Sequence, residues 1–182
     1  TLSFMNNSSS KKGNSEHRFY IPETFKITNC LLNENNLTFV IGNEKKGYSR
    51  VYGYKSAVFM NFNVSDSITF NYASPLYKDQ TGISLNSSIY LTNTSKDNLF
   101  FYSDNKSNIS SNKQNEVVAA SKSKKNVLCK GTLSKNGSIK REVILDKKTL
   151  QIKQINNKRF GDKIILNGNS SKKYQFGIYT IK

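Results

Sequence analysis

The sequence predicts an all-β protein of antiparallel, sandwich-like sheets, with little helix and at most one short helix near the N-terminus. Three observations predict this class. Apolar residues alternate with polar ones along many short segments, as in strands that bury one face. Turn-forming residues recur about every 8–12 positions, a spacing typical of sandwiches and barrels. The 11 Phe and 10 Tyr residues supply enough large apolar groups for a packed core.

The C-terminal third, residues 127–182, has the clearest pattern and predicts a basic β-meander. Its first strand carries Val127, Cys129, Gly131 and Leu133 at alternate positions, so that these residues share one face. The following Asn136-Gly137 tolerates positive φ, which predicts a tight hairpin turn. A second Asn-Gly pair at 167–168 is expected to end a later strand, and residues 174–180 form the last one.

The rest of the chain divides into three predicted regions. Residues 1–16 form a polar tail that we expect to be flexible. Residues 17–104 form an N-terminal β region, in which Pro75 is expected to break a strand. Residues 105–126 are polar and of low complexity. They predict either a linker between two β subdomains or a long exposed loop with one short strand.

The charge is strongly positive and unevenly distributed. The chain has 28 Lys and Arg against 12 acids, a net charge of +16, and residues 122–182 hold 16 of the cations but three acids. Such a segment attracts polyanions, although a merely solvated surface is the alternative. Only four of the cations are Arg. Because Arg supplies the bidentate fork that reads base edges, sequence-specific DNA recognition is disfavoured.

No motif in the sequence indicates catalysis, a metal site or a cofactor. His17 is the single histidine, so a Ser-His-acid system would have to use it. The two cysteines and His17 lack the close paired spacing of zinc ligands. A pair of carboxylates acting on glycosides is defined in space and is left open by the sequence. We expect a protein that is not an enzyme.

Cys30 and Cys129 are predicted either to form one disulfide or to remain free thiols in apolar strands. A bond between them would close a loop of roughly 100 residues and add about 4–5 kcal/mol of stability on the chain-entropy model. Ten Asn residues begin an Asn-x-Ser/Thr pattern, the acceptor for N-glycosylation in secreted proteins. A chain this rich in Asn and Ser also produces the pattern by chance. They are Asn6, Asn7, Asn36, Asn63, Asn86, Asn93, Asn105, Asn108, Asn136 and Asn169.

Two sets of residues are candidates for binding. Aromatic and cationic side chains alternate in the segment 48–55, where one strand face would form a platform for bases or sugars, or a plain tyrosine-rich sheet face. Its residues are Tyr48, Arg50, Tyr52, Tyr54 and Lys55. A second set of lysines would hold a polyanion or simply solvate loops. They are Lys122, Lys124, Lys125, Lys147, Lys148, Lys172 and Lys173.

Together these features lead us to expect a non-enzymatic binding or assembly protein of the extracellular space or cell surface. It would be an adhesion module or a surface-filament subunit, such as the soluble part of a pilin-like protein. Its partners would be other surface subunits or anionic polymers, such as glycan, wall polymer or nucleic acid. No apolar run approaches the roughly 20 residues that cross a bilayer, so we expect membrane attachment only through an anchor outside this chain. The alternative is a non-specific polyanion or nucleic-acid binding protein that uses the lysine-rich C-terminal third.

Overall fold

The computed structural model describes residues 25–43, 57–77, 89–110, 117–118, 126–146, 151–152, 157–169 and 174–181. The described residues form an all-β fold of antiparallel strands, which confirms the predicted class. Their one helical segment is the 3-10 turn Lys106–Asn108. The predicted tail and the N-terminal segment for which at most one short helix is predicted lie outside the described residues.

The strands form three sheets that follow one another along the chain. The first sheet has the order β1-β2-β3-β4, with β1 Phe25–Asn33, β2 Asn36–Asn43, β3 Ala57–Val64 and β4 Ile68–Leu76. The second has the order β5-β6-β7-β8, with β5 Ile89–Asn93, β6 Asn98–Asn105, β7 Asn126–Leu133 and β8 Ile139–Leu145. The third has the order β10-β11-β12, with β10 Lys158–Phe160, β11 Lys163–Asn169 and β12 Tyr174–Thr180. The two-residue β9, Gln151–Ile152, pairs with the far end of β11.

The second sheet is the middle layer. Strand β6 is buried along nearly all its length, and its alternate side chains enter two separate cores. Phe100 and Tyr102 pack with residues of the first sheet, whereas Leu99 and Phe101 pack with residues of the third. A strand buried on both faces needs a continuous apolar run rather than an alternating one, and Leu-Phe-Phe-Tyr at 99–102 supplies it.

The core between the first and second sheets is the larger one. The Phe59 and Phe100 ring centroids are 4.6 Å apart, and Phe100 stacks on Tyr102 at 5.6 Å. As predicted, Val127, Cys129 and Leu133 of β7 share one face, which enters this core. Gly131, on the same face, leaves the space that the Phe100 ring fills, since a Cβ there would lie 1.9 Å from the ring.

The turns agree with the sequence prediction in part. Gly137 has φ of 84° in the β7–β8 hairpin, as Asn136-Gly137 predicts. The second Asn-Gly pair does not end a strand: Asn167 and Gly168 lie within β11, paired with Phe176 and Gln175. Asn-Gly permits a turn without requiring one, and the β10–β11 turn uses Gly161, with φ of 58°.

Pro75 does not break its strand either. It lies inside β4, opposite Val58. Strand β4 is an edge of the first sheet, and a residue in an edge strand can direct its missing N–H toward solvent instead of a neighbouring strand. The prediction failed because the sequence does not reveal which strands are edges.

Residues 105–126 connect two adjacent strands of one sheet. Strands β6 and β7 pair along eight positions, from Asn98↔Leu133 to Asn105↔Asn126, so this segment does not divide the chain into two β regions. The predicted C-terminal meander is instead split, because β7 and β8 belong to the middle sheet and β9 to β12 form the third. Buried Asn108 organises the start of the connection. Its amide Nδ2 donates to Asp104 Oδ1 and to the Val118 carbonyl, and its Oδ1 accepts from Val118 N–H.

Candidate functional site: the cleft between the second and third sheets

The second and third sheets touch along one side and separate along the other. Ile164 and Leu166 of β11 pack on Leu99, Phe101 and Leu128 of the middle sheet. The Tyr179 ring meets Phe101 edge-on, with centroids 5.1 Å apart. Beyond this contact the sheets leave a cleft of about 960 Å3. Its walls come from β7, β8 and β12, and the loop at 94–97 lies at its rim.

The floor of the cleft is apolar. It is formed by Leu99, Leu128, Ile144, Leu145 and Leu166. On β7, the residues that face the cleft are those of opposite parity to the residues in the larger core, which is why Leu128 and Thr132 alternate with Cys129 and Leu133. A concave apolar surface with a few polar groups at its edge is the usual form of a ligand-binding site.

Lys130 is the central polar group of the cleft. Its Nζ forms an ion pair with the Glu142 carboxylate, donates a hydrogen bond to Tyr179 Oη at 3.0 Å, and lies 5.4 Å from the Tyr179 ring centroid. Burial lowers the pKa of Lys130, but the hydrogen bonds to Glu142 and Tyr179 outweigh that effect and leave the pKa raised. Lys130 therefore stays protonated at neutral pH. A protonated lysine can orient a ligand but does not act as a base or nucleophile.

The third sheet also has an exposed apolar face, on the side away from the cleft. Pairing places Phe160 of β10 and both Phe176 and Ile178 of β12 on this face, and their exposed fractions are 60%, 72% and 70%. Lys158 and Lys163 share the face and are also exposed. We call these five residues the outer face of the third sheet.

The binding residues predicted from the sequence lie outside the described residues. This holds for the aromatic and cationic segment of Tyr48, Arg50, Tyr52, Tyr54 and Lys55. It also holds for the lysines Lys122, Lys124, Lys125, Lys147, Lys148, Lys172 and Lys173.

The two cysteines are described, and neither forms a disulfide. Cys30 is exposed on β1, whereas Cys129 is fully buried in the larger core. The disulfide alternative is therefore not realised in the structure. The pairing of β1 gives the reason, because Cys30 lies opposite Phe39 on the face of the first sheet turned away from that core, while its neighbour Leu31 packs against the core.

Burial excludes two of the Asn-x-Ser/Thr patterns as glycosylation sites in the folded chain. Asn105 and Asn108 are 1% and 0% exposed, so the folded chain does not present them to a modifying enzyme. Asn136, at the tip of the β7–β8 hairpin, is exposed. Its side-chain oxygen accepts a hydrogen bond from Ser138 N–H.

Sequence reasoning missed the cleft and Lys130, Glu142 and Tyr179 within it. One signal was present: Lys130 and Thr132 occupy the second face of a strand whose first face is entirely apolar. This pattern indicates a polar face on β7, but it does not identify the strand that packs over that face. That partner, β12, lies more than 40 residues further along the chain.

Among the described residues, no group of His, Cys, Asp and Glu is arranged to hold a metal ion. None of the helical structure described is long and apolar enough to cross a membrane. No family model matches the chain, and comparison with curated proteins and with solved structures finds no significant match.

Proposed function

We propose that the protein is a non-enzymatic binding or assembly protein of the cell surface or extracellular space, and that its third sheet forms the contact surface. The observation that carries this proposal is the outer face, where Phe160, Phe176 and Ile178 are each at least 60% exposed. Exposed apolar residues gathered on one face mark interaction surfaces in soluble proteins. The lysines at this face favour a partner that is neutral or acidic.

The chemistry of the cleft is consistent with binding. Its central cation is held protonated by two neighbours, and the floor offers only apolar contacts. An adhesion module or a filament subunit requires no more than complementary contact of this kind. The pilin-like version of the proposal would place the partner subunit on the outer face.

Lysine labelling on intact cells of the source organism tests location and contact together. A membrane-impermeant amine reagent is applied to intact cells and to the purified chain, and the modified lysines are read by mass spectrometry. We expect labelling on intact cells, with Lys158 and Lys163 protected relative to the purified chain. Lys135, exposed at the β7–β8 tip, serves as the control and should react equally. Labelling only after lysis would refute the surface location, and equal labelling of all three lysines would refute the contact surface.

A second candidate is a non-specific polyanion binder, and the concentration of charge in residues 122–182 favours it, with 16 cations against three acids. Its test is a salt series on immobilised heparin. Because binding releases counterions, the logarithm of the affinity should fall linearly and steeply with the logarithm of the salt concentration. A flat response would eliminate this candidate and leave the first in place.

A further inference from the structure

Strand β12 forms an edge that differs from the other sheet edges in the described part of the chain. Exposed edges invite pairing with foreign strands, and proteins protect them with prolines, charges, bulges, short length or a covering element. β4 carries Pro75 and lies beside a register shift between Asn61 and Phe62 of β3. β8 carries three consecutive charged residues, Lys140, Arg141 and Glu142.

The remaining described edges are protected as well. β1 has a register shift between Ile27 and Asn29, and the Asn29 side chain donates to the Ile89 carbonyl of β5 at 3.2 Å. At the other end of β5, the Asn93 side chain donates to Asn33 Oδ1 of β1 at 3.0 Å, so that β1 lies along the edge of β5. β9 and β10 are only two and three residues long, and β10 contains Lys158 and Arg159.

β12 has none of these devices. It is seven residues long, carries no charge and no proline, and pairs with β11 without a register shift. No described strand pairs with its other side. A long, regular and uncharged edge of this kind is a template for a further strand.

The direction of the backbone groups along this edge follows from one hydrogen bond. Ile181 N–H donates to the Asp162 carbonyl at 2.7 Å, continuing the pairing of β12 with β11. In an antiparallel ladder, hydrogen-bonded and non-bonded pairs alternate. Tyr179 and Gly177 therefore bond toward β11. The N–H and C=O groups of Phe176, Ile178 and Thr180 point to the open side.

That open side borders the cleft, which provides room for another strand. Residues 177–181 line it together with the apolar floor. Gly177 lies opposite Leu166 and faces the floor, and a glycine inside a strand often marks a close approach of another backbone. The outer face contributes the exposed side chains of Phe176 and Ile178 on the other side of the same edge.

We propose that the partner adds an extended segment to the open edge of β12, within the cleft, with apolar side chains alternating with acidic ones. The apolar side chains would lie on the floor formed by Leu128, Ile144 and Leu145, and the acidic ones would face solvent. The acidic character follows from the net charge of +16, which attracts acidic segments and opposes pairing of two copies. This inference rests on the proposed function: it keeps the third sheet as the contact surface and adds the open edge of β12 to the outer face.

Two substitutions at one position separate pairing at the edge from contact through the outer face. Ile178→Pro removes an N–H that points to the open side and leaves the bonds to β11 in place, whereas Ile178→Thr keeps the N–H and removes exposed apolar area. The probe is a fluorescein-labelled heptapeptide, Thr-Val-Glu-Val-Glu-Val-Thr, and its binding is followed by fluorescence anisotropy. A peptide with the same residues but with all Val before all Glu serves as the sequence control, because it cannot place its apolar side chains on one face.

We expect the alternating peptide to bind and the control peptide to bind at least about tenfold more weakly. Loss of edge hydrogen bonds should make Ile178→Pro about tenfold weaker in binding, and Ile178→Thr should change affinity by less than about threefold. Thr180→Pro, at the end of the strand, repeats the test if Ile178→Pro lowers the unfolding temperature markedly.

If Ile178→Thr lowered the affinity for the alternating peptide more than Ile178→Pro did, edge pairing would be overturned and the outer face would remain as the contact surface. Equal binding of both peptides, or binding of neither, would also overturn it without bearing on the labelling experiment. Sedimentation velocity measures whether the protein pairs with a second copy of itself. A wild-type dimer that is lost in Ile178→Pro would show that the edge pairs with a second copy, contrary to the acidic partner proposed.

Discussion

The two faces of the middle sheet are used differently. Toward the first sheet, Phe100 and Tyr102 enter a closed core with Phe59 and the apolar face of β7. Toward the third sheet, Leu99 and Phe101 meet only part of the opposing layer, and the remainder is the cleft. One strand, β6, supplies the centre of both contacts. The comparison indicates that the closed side provides most of the stability, while the open side leaves surface for a partner.

Adjacent phenylalanines of β6 test this division directly, and we expect the largest effect here. Phe100 and Phe101 are both fully buried but point to opposite sides. Phe100→Ala should destabilise the fold by about 4–5 kcal/mol, and Phe101→Ala by about 3 kcal/mol, because the cost depends on how far the surroundings can collapse. The side chains around Phe101 lie beside the cleft and can move into the space that the ring leaves, which lowers the cost. Urea unfolding of both variants measures the difference, and equal costs would refute the division.

The next effect concerns the connection on the closed side of the molecule. Asn108→Ala removes three hydrogen bonds, to Asp104, to the Val118 carbonyl and from Val118 N–H. At about 1 kcal/mol for each bond, and with Asp104 left buried, we expect a loss of about 2–3 kcal/mol. Ser107→Ala is the control, because Ser107 is exposed, and it should change stability by less than about 0.5 kcal/mol. A loss below about 1 kcal/mol for Asn108→Ala would mean that this network contributes little.

A smaller effect tests how tightly the closed core is packed. In Gly131→Ala the new Cβ would lie 1.9 Å from Phe100 Cζ, so the ring must move, at a cost of about 1–3 kcal/mol. The double variant Gly131→Ala with Phe100→Leu should be more stable than the sum of the two single changes predicts, because the smaller side chain leaves room for the methyl group. Thermal unfolding of the four proteins completes the cycle. Additive effects would show that the two residues do not contact each other.

The smallest effect is a pH dependence within the same core. Burial raises the pKa of Tyr72 to about 12 from its usual 10.0. The folded state therefore keeps a proton that the unfolded state loses above about pH 10. The contribution of protonated Tyr72 to the free energy of unfolding is fully present below pH 10 and is lost as the pH rises toward 12. We expect Tyr72→Phe to weaken this decline without changing stability at pH 7 by more than about 1 kcal/mol. An unchanged alkaline profile in the variant would contradict the assignment to Tyr72.

The sequence predicted the local features of the fold and missed those that depend on distant strands. The parity of Val127, Cys129 and Leu133 and the turn at Gly137 are decided by neighbouring residues, and both were correct. Pro75 and the Asn167-Gly168 pair were misjudged because their outcome depends on strand position in a sheet. For Pro75, that position is at an edge; for Asn167 and Gly168, it is inside β11, where both pair with β12 and Gly168 also pairs with β9. Pattern alone does not assign those positions.

The candidate site was less predictable than the fold for the same reason. The sequence shows that Lys130 interrupts an apolar strand, but the cleft exists only because β12 packs against β7 from a distant part of the chain. The predicted segment 48–55 and the predicted lysines stay predictions, since they lie outside the described residues. The open edge of β12 becomes visible only when every described edge of the three sheets is compared.

Hydrogen exchange of individual amides, followed by NMR in the free protein, tests the contrast between the closed core and the open edge most directly. If the contrast holds, the amides of Phe100, Phe101 and Tyr102 exchange only through global unfolding, because β6 is bonded on both sides and buried on both faces. The amides of Phe176, Ile178 and Thr180 exchange orders of magnitude faster than those of Gly177 and Tyr179, which bond to β11. Slow exchange at all five positions of β12 would show that its edge is already occupied and would contradict the account.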